Sequence, residues 1–213
     1  MSSEVAPPRG NLFIVSAPSG AGKTSLVRAL LSRVPGLELS VSSTTRPPRH
    51  GESDGVDYHF LDEAQFVERV EAGRFLEYAR VFDNLYGTSR DAVETRLDTG
   101  ADVILEIDWQ GAQQVRQALP EAVSVFILPP SRAELRRRLS ERGQDPATVI
   151  ERRLAEAVEE ISHYAEYDYL VVNDGFEQAL SQLHSLVEAQ RLARGRQGQV
   201  HAATLAELLG EGG

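Results

Sequence analysis

Residues 16–25 read SAPSGAGKTS; the apolar run NLFIVS (11–16) leads into them, and Leu26, Val27, Leu30, Leu31 and Val34 follow at helical spacing. A buried strand, a glycine-rich loop and an amphipathic helix, in that order, make successive backbone N–H groups and a helix N-terminus converge on an anion. The motif for such a phosphate-binding loop is G-x-x-x-x-G-K-[ST]. Here Gly22, Lys23 and Thr24 match its end, and Ala17 stands at its first position. That position has only to leave the strand without a clash, which the smallest side chain bearing a Cβ can do. Backbone from Ala17 through Pro18, Ser19, Gly20, Ala21 and Gly22 then forms the cradle, with positive φ open to the two glycines. Lys23 is placed to reach the β- and γ-phosphates of a nucleoside triphosphate, and the Thr24 hydroxyl to ligate Mg²⁺. Lys23 is also the only lysine, against 21 arginines. A compact ammonium on a flexible stem is not interchangeable with a planar guanidinium at a tight site.

Working outward from the loop, four further apolar runs resemble its leading strand: LELSVS (37–42), ADVILEI (101–107), AVSVFIL (122–128) and YLVVN (169–173). They are nearly continuous and rich in Val and Ile, as strands buried on both faces of a parallel sheet are. Helical patterns lie between them, over 23–34, 109–119, 131–141, 147–161 and 176–193. Alternation of this kind predicts an α/β fold: a five-stranded parallel sheet flanked by helices. Residues 43–96 interrupt it with the polar, turn-rich TTRPPRHGESDG and a helix near 62–71, and read as an inserted subdomain. The arginine-rich stretch 131–155, broken at Gly143 and Pro146, reads as a helical lid, and 194–213 as a polar linker with a short terminal helix. The core then comprises about 10–42, 97–130 and 156–193.

Composition excludes several classes. With no cysteine there are no disulfides and no thiolate metal sites, which suits a reducing compartment. A formal net charge of -10 argues against general affinity for nucleic acid. No stretch reaches membrane-spanning length and the start lacks a signal pattern, so the expectation is a soluble, cytoplasmic protein. The five histidines show no metal-ligand spacing, and nothing in the sequence sets the oligomeric state.

A phosphate donor needs an acceptor, and the insertion carries groups suited to one. Ser42, Arg46 and Arg49 follow the second strand in VSSTTRPPR. Two arginines around a rigid Pro-Pro pair can fork onto one phosphate; alternatively, the segment is a solvated turn. Tyr58 and Tyr86 bring phenolic hydroxyls that donate to phosphate or simply pack. Glu77 lies in the apolar context FLEYA, where an isolated carboxylate is costly. It can accept the N1–H and N2–H₂ donors of guanine, or it can pair with Arg80.

Taken together, SAPSGAGKT, VSSTTRPPRHGE, DYHF, FLEYA, NLYGTSR, EIDWQGAQQVR, FILPPS, RRRLSERGQD and YAEYDYLVVND resemble the guanylate kinase family of the bacterial type, in order and over about residues 10–190. The resemblance implies phosphoryl transfer from ATP to GMP with Mg²⁺, on a phosphate-loop fold with a GMP-binding insertion and a lid. It implies that Ser42, Glu77, Thr88 and Glu106 read the guanine, and that Arg46, Arg49, Tyr58 and Tyr86 hold the GMP phosphate. At position 106 the family usually has Asp, in D-I-D, where this chain has Glu106-Ile107-Asp108. Asp108 has two readings: a carboxylate that orients Mg²⁺ through water, or a cap on the helix starting at Trp109. Arg138 and Arg142 are four apart on one helical face. In the resembled family they and Arg153 close over the triphosphate, and Asn173 contacts the adenine. Two other activities share parts of this pattern: a different small phosphate-loop kinase, such as one acting on a ribose bisphosphate, and a non-catalytic module that binds phosphorylated proteins.

Overall fold

A computed structural model of the chain describes residues 7–81, 83–141 and 147–210. The opening strand β1 (Leu12–Ser16) is buried along its whole length and runs through the loop into α1 (Lys23–Arg33), then β2 (Leu37–Leu39). The inserted segment follows as β3 (Ser43–Thr44), β4 (His59–Phe60), α2 (Glu63–Glu71), β5 (Phe75–Val81) and β6 (Asn84–Ser89). The chain returns through α3 (Arg90–Asp98), β7 (Asp102–Glu106), α4 (Trp109–Ala118) and β8 (Val123–Leu128). It ends with α5 (Arg132–Glu141), α6 (Ala147–Ser162), β9 (Tyr169–Val172), α7 (Phe176–Arg191), α8 (Arg194–Val200) and α9 (Ala202–Leu209).

The five apolar runs form one sheet in the order β2-β7-β1-β8-β9, with every pairing parallel. A central strand such as β1 is covered on both faces, which is why its residues do not alternate. On one face Phe13, Val15, Leu26, Leu30 and Leu183 share a core cluster that joins the sheet to α1 and α7. On the other, Leu12, Ile14, Leu105, Val93, Leu97 and Val115 join it to α3 and α4. Helix α3 is absent from the sequence expectation. Its nine residues RDAVETRLD bury only Val93 and Leu97, too few apolar positions to show a helical period. Two short helices, α8 and α9, stand where one was expected.

The insertion forms its own four-stranded sheet, β4-β3-β6-β5. Its helix α2 is closed by a capping box, Asp62 with Gln65, and buries Phe66 against Phe75, ring centroids 4.5 Å apart. Strand β5 lies against α4 of the core. There the Gln114 side chain accepts from Tyr78 N at 3.1 Å and donates to Tyr78 O at 2.8 Å, as a neighbouring strand would. The lid helices α5 and α6 have a small core of their own, Leu135, Leu139, Leu154 and Ala157.

At the far end of the main sheet from the phosphate loop, Asp102 is 1% exposed. Its Oδ1 accepts from Asn11 N at 2.7 Å and from Arg196 Nη1 at 2.5 Å, and its Oδ2 accepts from Arg191 Nε at 2.7 Å. This carboxylate ties α7 and α8 to the strands. Among the described residues no helix is long and apolar enough to cross a membrane.

Candidate active site

The loop between β1 and α1 takes the shape its glycines allow. Gly20 and Gly22 have φ of 91° and 93°, the left-handed region open to glycine at no steric cost. A Cβ on Gly22 would stand 2.6 Å from Asn173 Nδ2, so that position has no room either. Ala17 packs against the first core cluster, which accounts for a methyl group where the motif has glycine. Lys23 Nζ donates to Ile107 O at 3.3 Å, which anchors the ammonium between the loop and the end of β7.

Four side chains hold the loop from outside. Asn173, 6% exposed at the end of β9, donates through Nδ2 to Ala21 O at 2.8 Å. Arg138 on α5 donates to Asn173 O at 3.0 Å and to Ala21 O at 3.4 Å, while Glu134, one turn earlier, accepts from its Nε at 2.7 Å. From α6, Arg153 Nη2 donates to Ser19 Oγ at 3.3 Å and Glu160 Oε2 accepts from Ser19 N at 3.0 Å. Burial raises the Glu160 carboxyl above its ordinary range, opposed by the Ser19 amide and the charge of Lys23. Arg142 lies outside the described residues.

Two clefts flank the loop. One, of about 460 Å³, is lined by Gly20, Gly22, Arg137, Arg138, Asn173 and Phe176, between the loop and the lid. The other, of about 490 Å³, is lined by Ser19, Arg80, Asp108, Trp109, Arg153 and Glu160, between the lid and the insertion. The Thr24 hydroxyl donates to the Glu106 carboxylate. Glu106 therefore stands against the loop, and its charge also contributes to raising the Tyr58 hydroxyl above its ordinary range, behind burial and Tyr86. Asp108 Oδ1 accepts from Gly111 N at 2.8 Å and so caps α4. The cap occupies one oxygen and keeps the carboxylate at the end of β7, beside the loop.

The insertion assembles a second set of groups. Arg46 lies 5.4 Å from the ring centroid of Tyr58 and 6.0 Å from that of Phe60, and Tyr58 meets Tyr86 edge-on at 5.9 Å. Its guanidinium donates to Glu52 Oε1 at 2.9 Å and to Pro47 O at 2.8 Å. Glu52 also accepts from Arg49 N at 2.7 Å. Arg46 holds the Glu52 carboxyl below its ordinary range, with help from that amide. RPPR is thus a braced turn that presents Arg46 to the tyrosines, while the Arg49 side chain is exposed. The Ser42 carbonyl accepts from His59 N at 2.9 Å.

Glu77 and Thr88 face each other across β5 and β6. They are 4% and 0% exposed, and Thr88 Oγ1 donates to Glu77 Oε1 at 2.6 Å. Burial pushes the Glu77 carboxyl up to about 7; the Thr88 bond opposes the shift and the negative Asp108 adds to it. Arg80 pairs with Glu63 instead, at 3.3 Å, so Glu77 keeps a buried charge-bearing group whose second oxygen is not held by Arg80. Such a carboxyl is a candidate functional group.

The structure thus brings Glu77 to Thr88, Arg46 to Tyr58 and Tyr86, Arg138 to Asn173 and the loop, and Arg153 to Ser19. Sequence reasoning missed Glu52, Glu134 and Glu160, the carboxylates that hold Arg46, Arg138 and the Ser19 amide. Only Glu134, four residues before Arg138, left a signal in spacing. Glu160 lies 141 residues from Ser19.

Comparison with known proteins bears on the whole arrangement. Residues 9–190 match the family model described as guanylate kinase. The guanylate kinase of Alkalilimnicola ehrlichii is 62% identical over 201 residues, 94% of this chain and 99% of that protein. That of Escherichia coli K12 is 56% identical over 205 residues, 95% and 99% of the two chains. The crystal structure of guanylate kinase from Anaplasma phagocytophilum superposes with a TM-score of 0.76 at 34% identity, over 95% of this chain and 96% of that one.

Proposed function

The chain belongs to the guanylate kinase family and is a nucleoside monophosphate kinase; from that premise we propose how its residues divide the transfer of the ATP γ-phosphoryl group to GMP. The loop 17–24 holds the triphosphate, with Lys23 on the β- and γ-phosphates and the cleft beside Arg138, Asn173 and Phe176 receiving the nucleoside. Arg46, Tyr58 and Tyr86, with Arg49 turning in from the surface, take the GMP phosphate. Ser42, Glu77 and Thr88 read the base. The observation that carries this division is the buried Glu77–Thr88 pair, 2.6 Å apart, in the same small sheet as the Arg46 turn.

A guanine edge offers two adjacent donors, N1–H and N2–H₂. The ionised Glu77 carboxylate is acceptor-only and matches them, and the bond from Thr88 fixes one of its oxygens. Adenine offers an acceptor at N1 and would leave the buried charge unsatisfied, which is how a polar site rejects the wrong base.

The donors next to the loop fit Mg²⁺: the Thr24 hydroxyl and the Asp108 and Glu106 carboxylates are all hard oxygen ligands. Among the described residues no group of three or more acidic or histidine side chains forms a closed cage. That suits an ion held by one or two protein oxygens and substrate phosphates. Thr24 and Asp108 would hold it. When bound, it neutralises charge on the β- and γ-phosphates.

The attacking group is an oxygen of the GMP phosphate, already anionic near neutral pH, so the chain supplies no strong base. That oxygen forms the new bond to the γ-phosphorus as the bond to the bridging oxygen breaks and ADP leaves. Lys23, Arg138 and Arg153 stabilise charge spread over the transferred group, and the family resemblance assigns the same role to Arg142. Arg46 anchors the acceptor so that the two phosphates meet in line. The insertion and lid close around the second cleft and exclude the water that would hydrolyse ATP.

A coupled ADP-release assay over nucleoside monophosphates tests the reading. GMP should be the best acceptor, Glu77→Ala should relax base choice, and Arg46→Ala should weaken capture of every monophosphate. Faster turnover with AMP, CMP or a sugar phosphate than with GMP would overturn it.

A further inference from the structure

Gly111, the third residue of α4, is buried where a glycine has no conformational reason to be. Its φ is not positive, and glycine is a poorer helix former than alanine. Its surroundings supply the reason. A Cβ at Gly111 would lie 2.7 Å from Glu77 Oε2, 3.1 Å from Glu77 Cδ and 3.4 Å from Asp108 Oδ1. The missing methyl group leaves the space that Glu77 Oε2 occupies.

Neither partner can back away. One turn along the same face of α4, Gln114 makes its two hydrogen bonds with the backbone of Tyr78, the residue next to Glu77. The other oxygen of Glu77 is fixed by Thr88 at 2.6 Å, and the side chain is enclosed, 4% exposed. Helix and strand are clamped together at the point where the carboxylate stands.

We propose that Gly111 is a positioning residue for base recognition: by carrying no side chain it sets where the Glu77 carboxylate rests, and through it the preference for guanine. The inference rests on the reading of Glu77 as the guanine acceptor. An added methyl group forces the carboxylate to rotate or to give up Thr88, and either movement takes it off the line of the two guanine donors.

The test compares Gly111→Ala, Glu77→Asp, the double variant and Glu77→Gln, measuring KM for GMP and ATP, kcat, and the GMP-to-AMP preference. Loss of a well-placed hydrogen bond to a charged group corresponds to about 10- to 100-fold. Gly111→Ala should raise KM for GMP by that order and narrow the GMP-to-AMP preference, with KM for ATP unchanged. A purely structural role would not give that split. The shorter side chain of Glu77→Asp clears the new methyl group, so the double variant should bind GMP better than the product of the single effects predicts. If Gly111→Ala does not fold, restoration of the fold in the double variant supports the clash, and failure to restore it counts against. Wild-type KM and base preference in Gly111→Ala would overturn the proposal. If Glu77→Gln also leaves GMP binding unchanged, the acceptor reading itself falls; if only Gly111→Ala is silent, the positioning role alone falls.

Discussion

Replacing Glu77 by Gln should make the protein more stable and less able to bind its acceptor, with a pH dependence that identifies the cause. The amide has nearly the same shape, and its oxygen can still accept from Thr88 Oγ1, now 2.6 Å from Glu77 Oε1. What it lacks is a charge to bury. The Glu77 carboxyl titrates at about 7 in the folded chain against 4.5 as its ordinary value. Between those two values the folded state keeps a proton that the unfolded state has lost, so stability falls as pH rises. Above about 7 the loss is complete, and at 1.36 kcal/mol per pH unit it amounts to about 3 kcal/mol. Relative to wild type, Glu77→Gln should therefore gain little at pH 5 and about 3 kcal/mol at pH 8. Urea unfolding at the two values measures this, with KM for GMP followed in parallel. The amide would set donors against the donors of guanine, so GMP affinity should be lost at both values. In wild type, KM for GMP should rise by about tenfold from pH 8 to pH 6 as the ionised fraction falls from roughly nine-tenths to one-tenth. An equal stability gain at pH 5 and pH 8 would refute the reasoning, because improved packing does not titrate.

Lys23→Ala should reduce kcat by about 10²–10³ without lowering the melting temperature, since the ammonium makes one 3.3 Å bond to Ile107 O; turnover with GMP and thermal unfolding check the two halves. Glu52→Gln should raise KM for GMP and leave KM for ATP alone, because Glu52 braces Arg46 and residue 49 but not the loop. Asp102→Ala should cost about 3–5 kcal/mol in urea unfolding, as it strips a 1% exposed carboxylate from two arginines. Its kcat per folded molecule should stay at the wild-type value, the site being at the other end of the sheet.

What was legible in the sequence followed burial and period. Strands such as β1 and β8, covered on both faces, are written as runs of Val, Ile and Leu, and SAPSGAGKTS fixes the direction of the chain at the end of one of them. Helix α3 was not legible, because its two buried residues, Val93 and Leu97, leave the rest of RDAVETRLD polar. The site divided in the same way. Residues whose backbone or motif defines their role, from Ala17 to Thr24, could be named from local pattern. Roles set by contacts between distant segments could not. The Thr24–Glu106 bond spans 82 positions and the Arg138–Ala21 bond 117. The room beside Gly111 is a property of two elements meeting, and no property of either alone.

The hydrogen bonds between Gln114 and Tyr78 have a consequence for solubility. Strand β5 is the outer strand of the inserted sheet, and an outer strand of seven residues is a template on which another chain can add a strand. At Tyr78 the outward N–H and C=O are already satisfied by a side-chain amide that imitates one peptide unit. The opposite edge, β4, is two residues long, too short to seed pairing. An incoming segment must therefore displace Gln114 before it can extend the sheet at Tyr78, so the contact that seats the insertion on the core also protects the protein from edge-to-edge aggregation.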